Sequence, residues 1–283
     1  MRDQDAIEEF CGTKIQHGPY NDRIYLMKMA NGSCAAGLPG KLISKAKTNG
    51  YAKIFAKIPV TKANEFLQAG YTQEARIPNF YKGLTDALFL GYYLSDKRSV
   101  ETEYKLFDDI IDLAIDKANA SPKPSGKALF TLRPCTKEDV VPMSEIYRTV
   151  FPSYPFPIHD PHYLLETMQN NVLYFGVEFN GALVALSSAE MDMEALNVEM
   201  TDFATLPKWR GNSFSAHLLA RMEEVVIKIG IMTAYTIARA VSPGVNITFA
   251  RRGYSFGGRL KNNTNISGKI ESMNVWYRQF LNI

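Results

Sequence analysis

The chain has 283 residues, of which 46% are hydrophobic and 12% aromatic; this suffices for one large domain or two smaller ones and excludes a disordered segment. A net charge of +3 is too even for a nucleic-acid surface, which needs clustered Lys and Arg, yet it suits a small anionic ligand. Cys11, Cys34 and Cys135 are odd in number and lack a Cys-x-x-Cys pair, which fits a reducing compartment and excludes a disulfide frame or a structural zinc site.

The opening "MRDQDAIEEF" is charged and lacks the apolar core of an export signal. No later run approaches the roughly 18 apolar residues of a membrane span, so a cytoplasmic chain with no membrane partner is expected. "RIYLMKM" (23–29) predicts a strand, and "LPGKLISKAKTNG" a helix closed by Gly50. "YAKIFAKIP" alternates as a strand and stops at Pro59, "TKANEFLQAG" is a short helix, and "TQEARIPNF" and "DALFLGYYL" are further strands. Val100, Tyr104, Phe107, Ile111, Ala114 and Ile115 lie at helical spacing, predicting one long packed helix over 98–119. "SPKPSGK" (121–127) has the Pro, Ser and Gly density of a linker.

After the linker, "ALFTLRP" predicts a strand, and Thr136 with Asp139 a capping-box start for a helix through Val150. "FPSYPFPIHDP", rich in Pro and aromatics, reads as a shaped loop. His159 and His162 in it are two ligands at most, so no metal site is expected. A short helix (162–170) leads to two alternating runs joined by Asn180-Gly181, a hairpin signal. "VEMTDFATL" is a strand, Ser213–Ile229 an amphipathic helix, "MTAYTIARA" a strand and "PGVNITFARRG" a helix; the tail supplies one or two strands. The halves echo each other. Phe66, Gly70, Tyr71 and Arg76 have the spacing of Phe249, Gly253, Tyr254 and Arg259, so one strand–helix–strand unit is read as used twice.

"PKWRGNSFSAHLL" (207–219) marks the strand-to-helix junction of the second unit. A helix start offers unpaired N–H groups and about half a positive charge, small residues let a phosphate approach, and Arg210 adds a fork of donors. A plain strand–helix corner with polar residues satisfies the same pattern.

Pro-x-x-Arg-Gly between a strand and a helix, followed by strand, helix and Gly-Tyr, resembles the GNAT superfamily of acetyl-CoA-dependent N-acetyltransferases. "QHGPYNDRIYLMKM", "GYAKIFAKIP", "EARIPNFYKG", "EMTDFATLP", "YTIARA" and "GRLKNNTNISGKIESMNVWY" extend the resemblance to its β-lysine N-acetyltransferase family over most of the chain. The resemblance implies a mixed α/β GNAT fold, with a mostly antiparallel sheet flanked by helices. A degenerate GNAT-like segment (1–97) would precede a connecting helix and linker (98–127) and a catalytic domain (128–283). The first segment would wall the substrate pocket or mediate an interface, homodimerisation included.

The implied activity is acetyl transfer from acetyl-CoA to the ε-amine of β-lysine, giving a compatible solute; another small amine (lysine, a polyamine) and a non-catalytic acetyl-CoA-binding module stay open. The implied coenzyme cradle is Arg210, Gly211, Asn212, Ser213, Phe214 and Ser215, with serine at both small positions, and the pantetheine strand maps onto Phe203, Ala204 and Thr205. Asn246 either binds coenzyme or only starts its helix.

An alkylammonium with pKa about 10.4 must lose a proton before it attacks. Glu199 is the candidate base, through water, or else it holds the second ammonium or is merely solvated; Asp202 is the alternate. The superfamily's thiolate-protonating tyrosine is Phe249 here, leaving Tyr254 or Tyr235 as acid, or a thiolate that departs unprotonated. Arg239 and Arg259 are candidates for the substrate carboxylate, Glu190 or Asp192 for its second ammonium, and Asn263 in "KNNTN" for a further polar contact.

Overall fold

The computed structural model describes residues 5–29, 37–118 and 130–280. The linker at 121–127 and Cys34 lie outside the described residues, as do the last residue of the 98–119 helix and the first two of "ALFTLRP".

Among the described residues, thirteen strands form one sheet. The first half contributes β1 (Ala6–Phe10), β2 (Thr13–Gly18), β3 (Arg23–Lys28), β4 (Lys53–Pro59), β5 (Thr72–Tyr81) and β6 (Thr85–Tyr93). Its helices are α1 (Leu38–Asn49) and α2 (Ala63–Gln68). α3 (Asp96–Ser99) and α4 (Tyr104–Ala118) lead out of it. The second half holds β7 (Thr131–Pro134), α5 (Val140–Val150), α6 (Pro161–Asn170), β8 (Val172–Phe179), β9 (Ala182–Asp192) and β10 (Asn197–Thr205). α7 (Phe214–Ile229), β11 (Thr233–Arg239), α8 (Pro243–Arg251), β12 (Ser255–Ile266) and β13 (Lys269–Gln279) complete it.

The strand order is β1-β2-β3-β4-β6-β5-β12-β13-β11-β10-β9-β8-β7. Read from the central β5–β12 junction outward, both halves repeat the same sequence of pairings. Each has one parallel pair, β3–β4 and β10–β11, in an otherwise antiparallel ladder. The sequence echo is visible in the packing. Phe66 meets Tyr71 edge-on at 5.0 Å, and Phe249 meets Tyr254 edge-on at 4.9 Å.

The halves touch closely where β12 crosses β5, with Gly258 paired to Ala75. A Cβ on Gly258 would stand 2.3 Å from the Glu74 carbonyl oxygen, and its φ of 138° already disfavours an L side chain. Beside it, the buried Lys53 ammonium binds the Glu74 carboxylate at 2.8 Å and donates to the Lys261 carbonyl at 2.7 Å. Two buried charges persist here because each satisfies the other and the backbone next to it.

Two expectations need correction. The 98–119 helix is broken: Val100 is extended, and Val100, Tyr104 and Ile115 are exposed while Phe107, Ile110, Ile111 and Ala114 face the core. β1 and β2 were missed, because an exposed "AIEEF" lacks alternation; their turn, Cys11–Gly12, has the same paired positive φ as Asn180–Gly181 between β8 and β9. Among the described residues, no helix is long and apolar enough to cross a membrane.

Candidate active site

β10 and β11 pair in parallel only from Asn197↔Thr233 to Glu199↔Tyr235, and beyond that point they splay. The cause is on β10. Its register with β9 slips between Thr201 and Ala204, and Asp202 in the slip adopts φ 57°, a left-handed bulge. The strand bends away from its parallel neighbour and opens a cleft of about 590 Å³. Thr201–Phe203 and Thr205 line one side, Thr236–Arg239 the other, and residues 210–215 with Gly244, Val245 and Thr248 close its end.

That end has the form of an anion cradle. Gly211 (φ 90°) and Ser213 (φ 58°) curl the loop through left-handed conformations, the geometry that gathers successive N–H groups into a concavity. α7 starts at Phe214, so the N–H groups of Phe214 and Ser215 have no helical partner, while that of Ala216 already donates to the Ser213 carbonyl. Asn212 holds the loop by donating to the Trp209 carbonyl at 2.9 Å, and Trp209 packs on Phe179. Arg210 is exposed on the cleft rim, with no ion pair among the described residues. Small side chains, a helix start and a free guanidinium fit a pyrophosphate.

A second cavity of about 230 Å³ adjoins the first; Tyr154, Thr201, Ile237, Ile266 and Met273 line both. It is walled by Glu190 and Glu199 on the second half and by Arg23, Tyr25, Phe55 and Lys57 on the first. The loop after α5 roofs it through Tyr154, Pro155 and Phe156, and the Pro155 carbonyl accepts from Gln16 of β2 at 2.8 Å. Lys57 donates to the Tyr235 hydroxyl at 2.9 Å. Burial raises the proton affinity of Glu199, opposed by the Lys57 charge and a Tyr235 hydrogen bond. Burial raises Glu190 well above the carboxylate range, with Asp202 and Glu199 adding to it. Asp202 is also raised by burial, against hydrogen bonds from Ser188, at 2.6 Å, and from Tyr154.

The Acetyltransferase (GNAT) family model matches residues 141–254. The chain is 38% identical over 274 residues to a β-lysine N(6)-acetyltransferase of Methanococcus maripaludis, covering 97% of this chain and 98% of that one. It is 34% identical to the β-lysine N(6)-acetyltransferase of Methanosarcina mazei, covering 85% of this chain and 96% of that one. To the N-acetyltransferase YodP of Bacillus subtilis it is 31% identical, covering 94% and 95%. The chain belongs to the GNAT acetyltransferase family.

The acetyltransferase brings together most of the residues its sequence singled out. Phe203, Thr205 and 210–215 line the first cleft; Glu190, Asp192, Glu199, Tyr235 and Asn263 line the second cavity. Asp202 also lines the first cleft, with both carboxylate oxygens occupied by Tyr154 and Ser188.

Ala204, expected to act through its backbone, buries its side chain in the core. Four residues are placed otherwise. Asn246 is buried and saturated: its amide donates to the Arg239 and Ser242 carbonyls and its oxygen accepts from Asn274 and Trp276, so it fastens α8 to the sheet. Tyr254 is buried against Phe249 and lines neither cavity. Arg259 is tied to Glu101 at 3.1 Å and Asp108 at 2.8 Å, holding β12 against α4. Arg239 does line the first cleft, but Glu271 takes its guanidinium in a two-pronged pair at 2.7 and 2.8 Å.

Arg23 and Lys57 were not anticipated. Arg23 is buried at the start of β3 and Lys57 is half-buried inside β4, each next to buried apolar residues, and a charge in such a place needs a reason. That anomaly was the available signal.

Proposed function

We propose that this enzyme transfers the acetyl group of acetyl-CoA to the ε-amine of β-lysine, giving Nε-acetyl-β-lysine as a cytoplasmic compatible solute. The observation that carries the proposal is the meeting of the two cavities where β10 and β11 part. An amine held between Glu190, Glu199 and Lys57 would emerge there beside a strand whose backbone is exposed along the coenzyme cleft. Acetyl-CoA supplies the activated acyl group; everything else falls to side chains and backbone of this chain. Arg210 and the open N–H groups at the start of α7 would hold its pyrophosphate, and 203–205 its pantetheine arm.

Glu199 is assigned the proton from the attacking ammonium. It sits at the last paired residue before the splay, and its raised proton affinity brings it nearer to that of the amine than an exposed carboxylate. Asp202 is assigned to positioning, because both its oxygens are engaged. Tyr235, bonded to Lys57 and lining the same cavity as Glu199, replaces Tyr254 as the tyrosine in reach of the reacting groups. Holding amine and thioester in one orientation lowers the barrier by about 7–11 kcal/mol in favourable cases. In this reading residues 128–283 catalyse, and 1–97 wall the amine cavity with Arg23, Tyr25, Phe55 and Lys57. The names of the first two relatives support the choice of β-lysine.

The test is thiol release from acetyl-CoA by purified enzyme with β-lysine, α-lysine and spermidine. A kcat/KM for β-lysine at least about tenfold above α-lysine, a difference of roughly 1.4 kcal/mol, is expected. Bound acetyl-CoA with no release by any amine would leave only a coenzyme-binding module.

A further inference from the structure

Arg23 is 4% exposed, lines the amine cavity, and forms no ion pair among the described residues. Its Nη1 donates to the Asn263 carbonyl at 2.5 Å and to Thr264 Oγ1 at 3.1 Å, while its Nε is buried without a partner. The rings of Tyr25 and Phe55 lie 5.4 and 5.7 Å from the guanidinium carbon and keep water from that side. Among the described residues the other buried cations are paired: Lys53 has Glu74, and Arg98 has Asp22. A buried guanidinium with a free donor, facing a cavity and lacking an anion, is incomplete as it stands.

The opposite wall carries Glu190 and Glu199, and Tyr25 stands in the field of both walls. Burial and then Glu199 raise its proton affinity, while Arg23 lowers it. The cavity is therefore polarised, cationic toward the first half and anionic toward the second. Beside Arg23, Asn263 Oδ1 is also buried without a partner, an acceptor next to a donor.

We propose that Arg23 is the receptor for the substrate's carboxylate, so that the first half of the chain selects amino-acid amines over simple diamines and polyamines. The inference rests on the acetyltransferase reading of this cavity but not on β-lysine itself. Planar guanidinium matches planar carboxylate through two parallel N–H donors, which an ammonium in the same place could not offer. The neighbouring Asn263 oxygen would take an N–H of the amino group closest to that carboxylate. The remote amine would then reach past Glu199 to the point where the strands part.

The experiment compares each acid with its amide. For the wild type, β-lysine should exceed β-lysine amide by about 10- to 100-fold in kcat/KM, the range for charge-assisted hydrogen bonds. In Arg23→Met the ratio should collapse to within about twofold, through KM for the amine, with KM for acetyl-CoA unchanged. The thermal shift that β-lysine confers on the wild type should vanish in Arg23→Met and partly return in Arg23→Lys. A wild type that treats acid and amide alike, or an Arg23→Met enzyme that keeps the ratio, overturns the proposal. Should Arg23→Met not fold, the wild-type ratio and the Arg23→Lys shift decide it alone. If α-lysine proves the substrate, the α-lysine and α-lysinamide pair tests Arg23 while β-lysine is discarded. Acetylation of spermidine in preference to every amino acid would overturn both.

Discussion

Glu190 and Glu199 stand directly opposite each other on β9 and β10, and both face the amine cavity. Like charges in direct register repel, so the pair is eased by a proton on one of them or by a cation beside Lys57. In the proposed reading an ammonium substrate supplies that cation.

Stability should report this pair. The proton affinity of Glu190 is raised in the folded state, by burial first and then by Asp202 and Glu199. Its contribution is complete below the ordinary carboxylate range and is lost as pH rises through the raised value. As pH rises above the ordinary carboxylate range, the substrate-free enzyme loses the stability that a protonated Glu190 gives it, a loss that Glu190→Gln escapes. The variant should gain about 1–2 kcal/mol, roughly 2–6 °C in Tm, at pH 8 and little at pH 4. A Tm difference independent of pH would count against it. KM for the amine should rise in the same variant.

Activity should report Glu199. Its replacement by Gln should lower kcat by about 10²- to 10⁴-fold, with KM for acetyl-CoA unchanged. Because burial raises Glu199, the acid limb of kcat/KM should lie above the usual carboxylate range. Tyr235→Phe removes a hydrogen bond that lowers Glu199, so it should move that limb to higher pH. Rate against pH for wild type and Tyr235→Phe checks the sign, and a shift to lower pH refutes the assignment.

Arg210→Ala separates the two cavities. The loss of a rim guanidinium should raise KM for acetyl-CoA by about tenfold or more, and leave KM for the amine within about twofold. The effect should shrink as salt rises, because the guanidinium is exposed. Initial rates at several salt concentrations test it.

Gly258→Ala addresses the junction of the halves. The new Cβ would meet the Glu74 carbonyl and require a φ of 138°, so unfolding should become easier by about 2–4 kcal/mol. Denaturant unfolding of the variant measures this directly, and a loss under about 0.5 kcal/mol would mean the strands separate without cost.

Much of this protein was legible from local pattern alone. The Arg-Gly junction, the Asn180-Gly181 hairpin, the capping box at Thr136 and Asp139, and the Phe–Gly–Tyr echo are written within a few residues of one another, where spacing fixes direction. The acidic residues of "EMTDFAT" were visible for the same reason. Tertiary structure decided what those residues face. Asn246 and Tyr254 are polar groups whose positions suit a site, yet packing turned them inward: Asn246 finds its partners in Asn274 and Trp276 far along the chain, and Tyr254 packs its ring edge-on against Phe249. Arg239 and Arg259 were claimed by carboxylates on β13 and after α3. Arg23 gained its place from Asn263, 240 residues away, across the junction of the halves. Local periodicity fixes which face of a strand is buried; only the closing of one sheet across both halves fixes what that face meets.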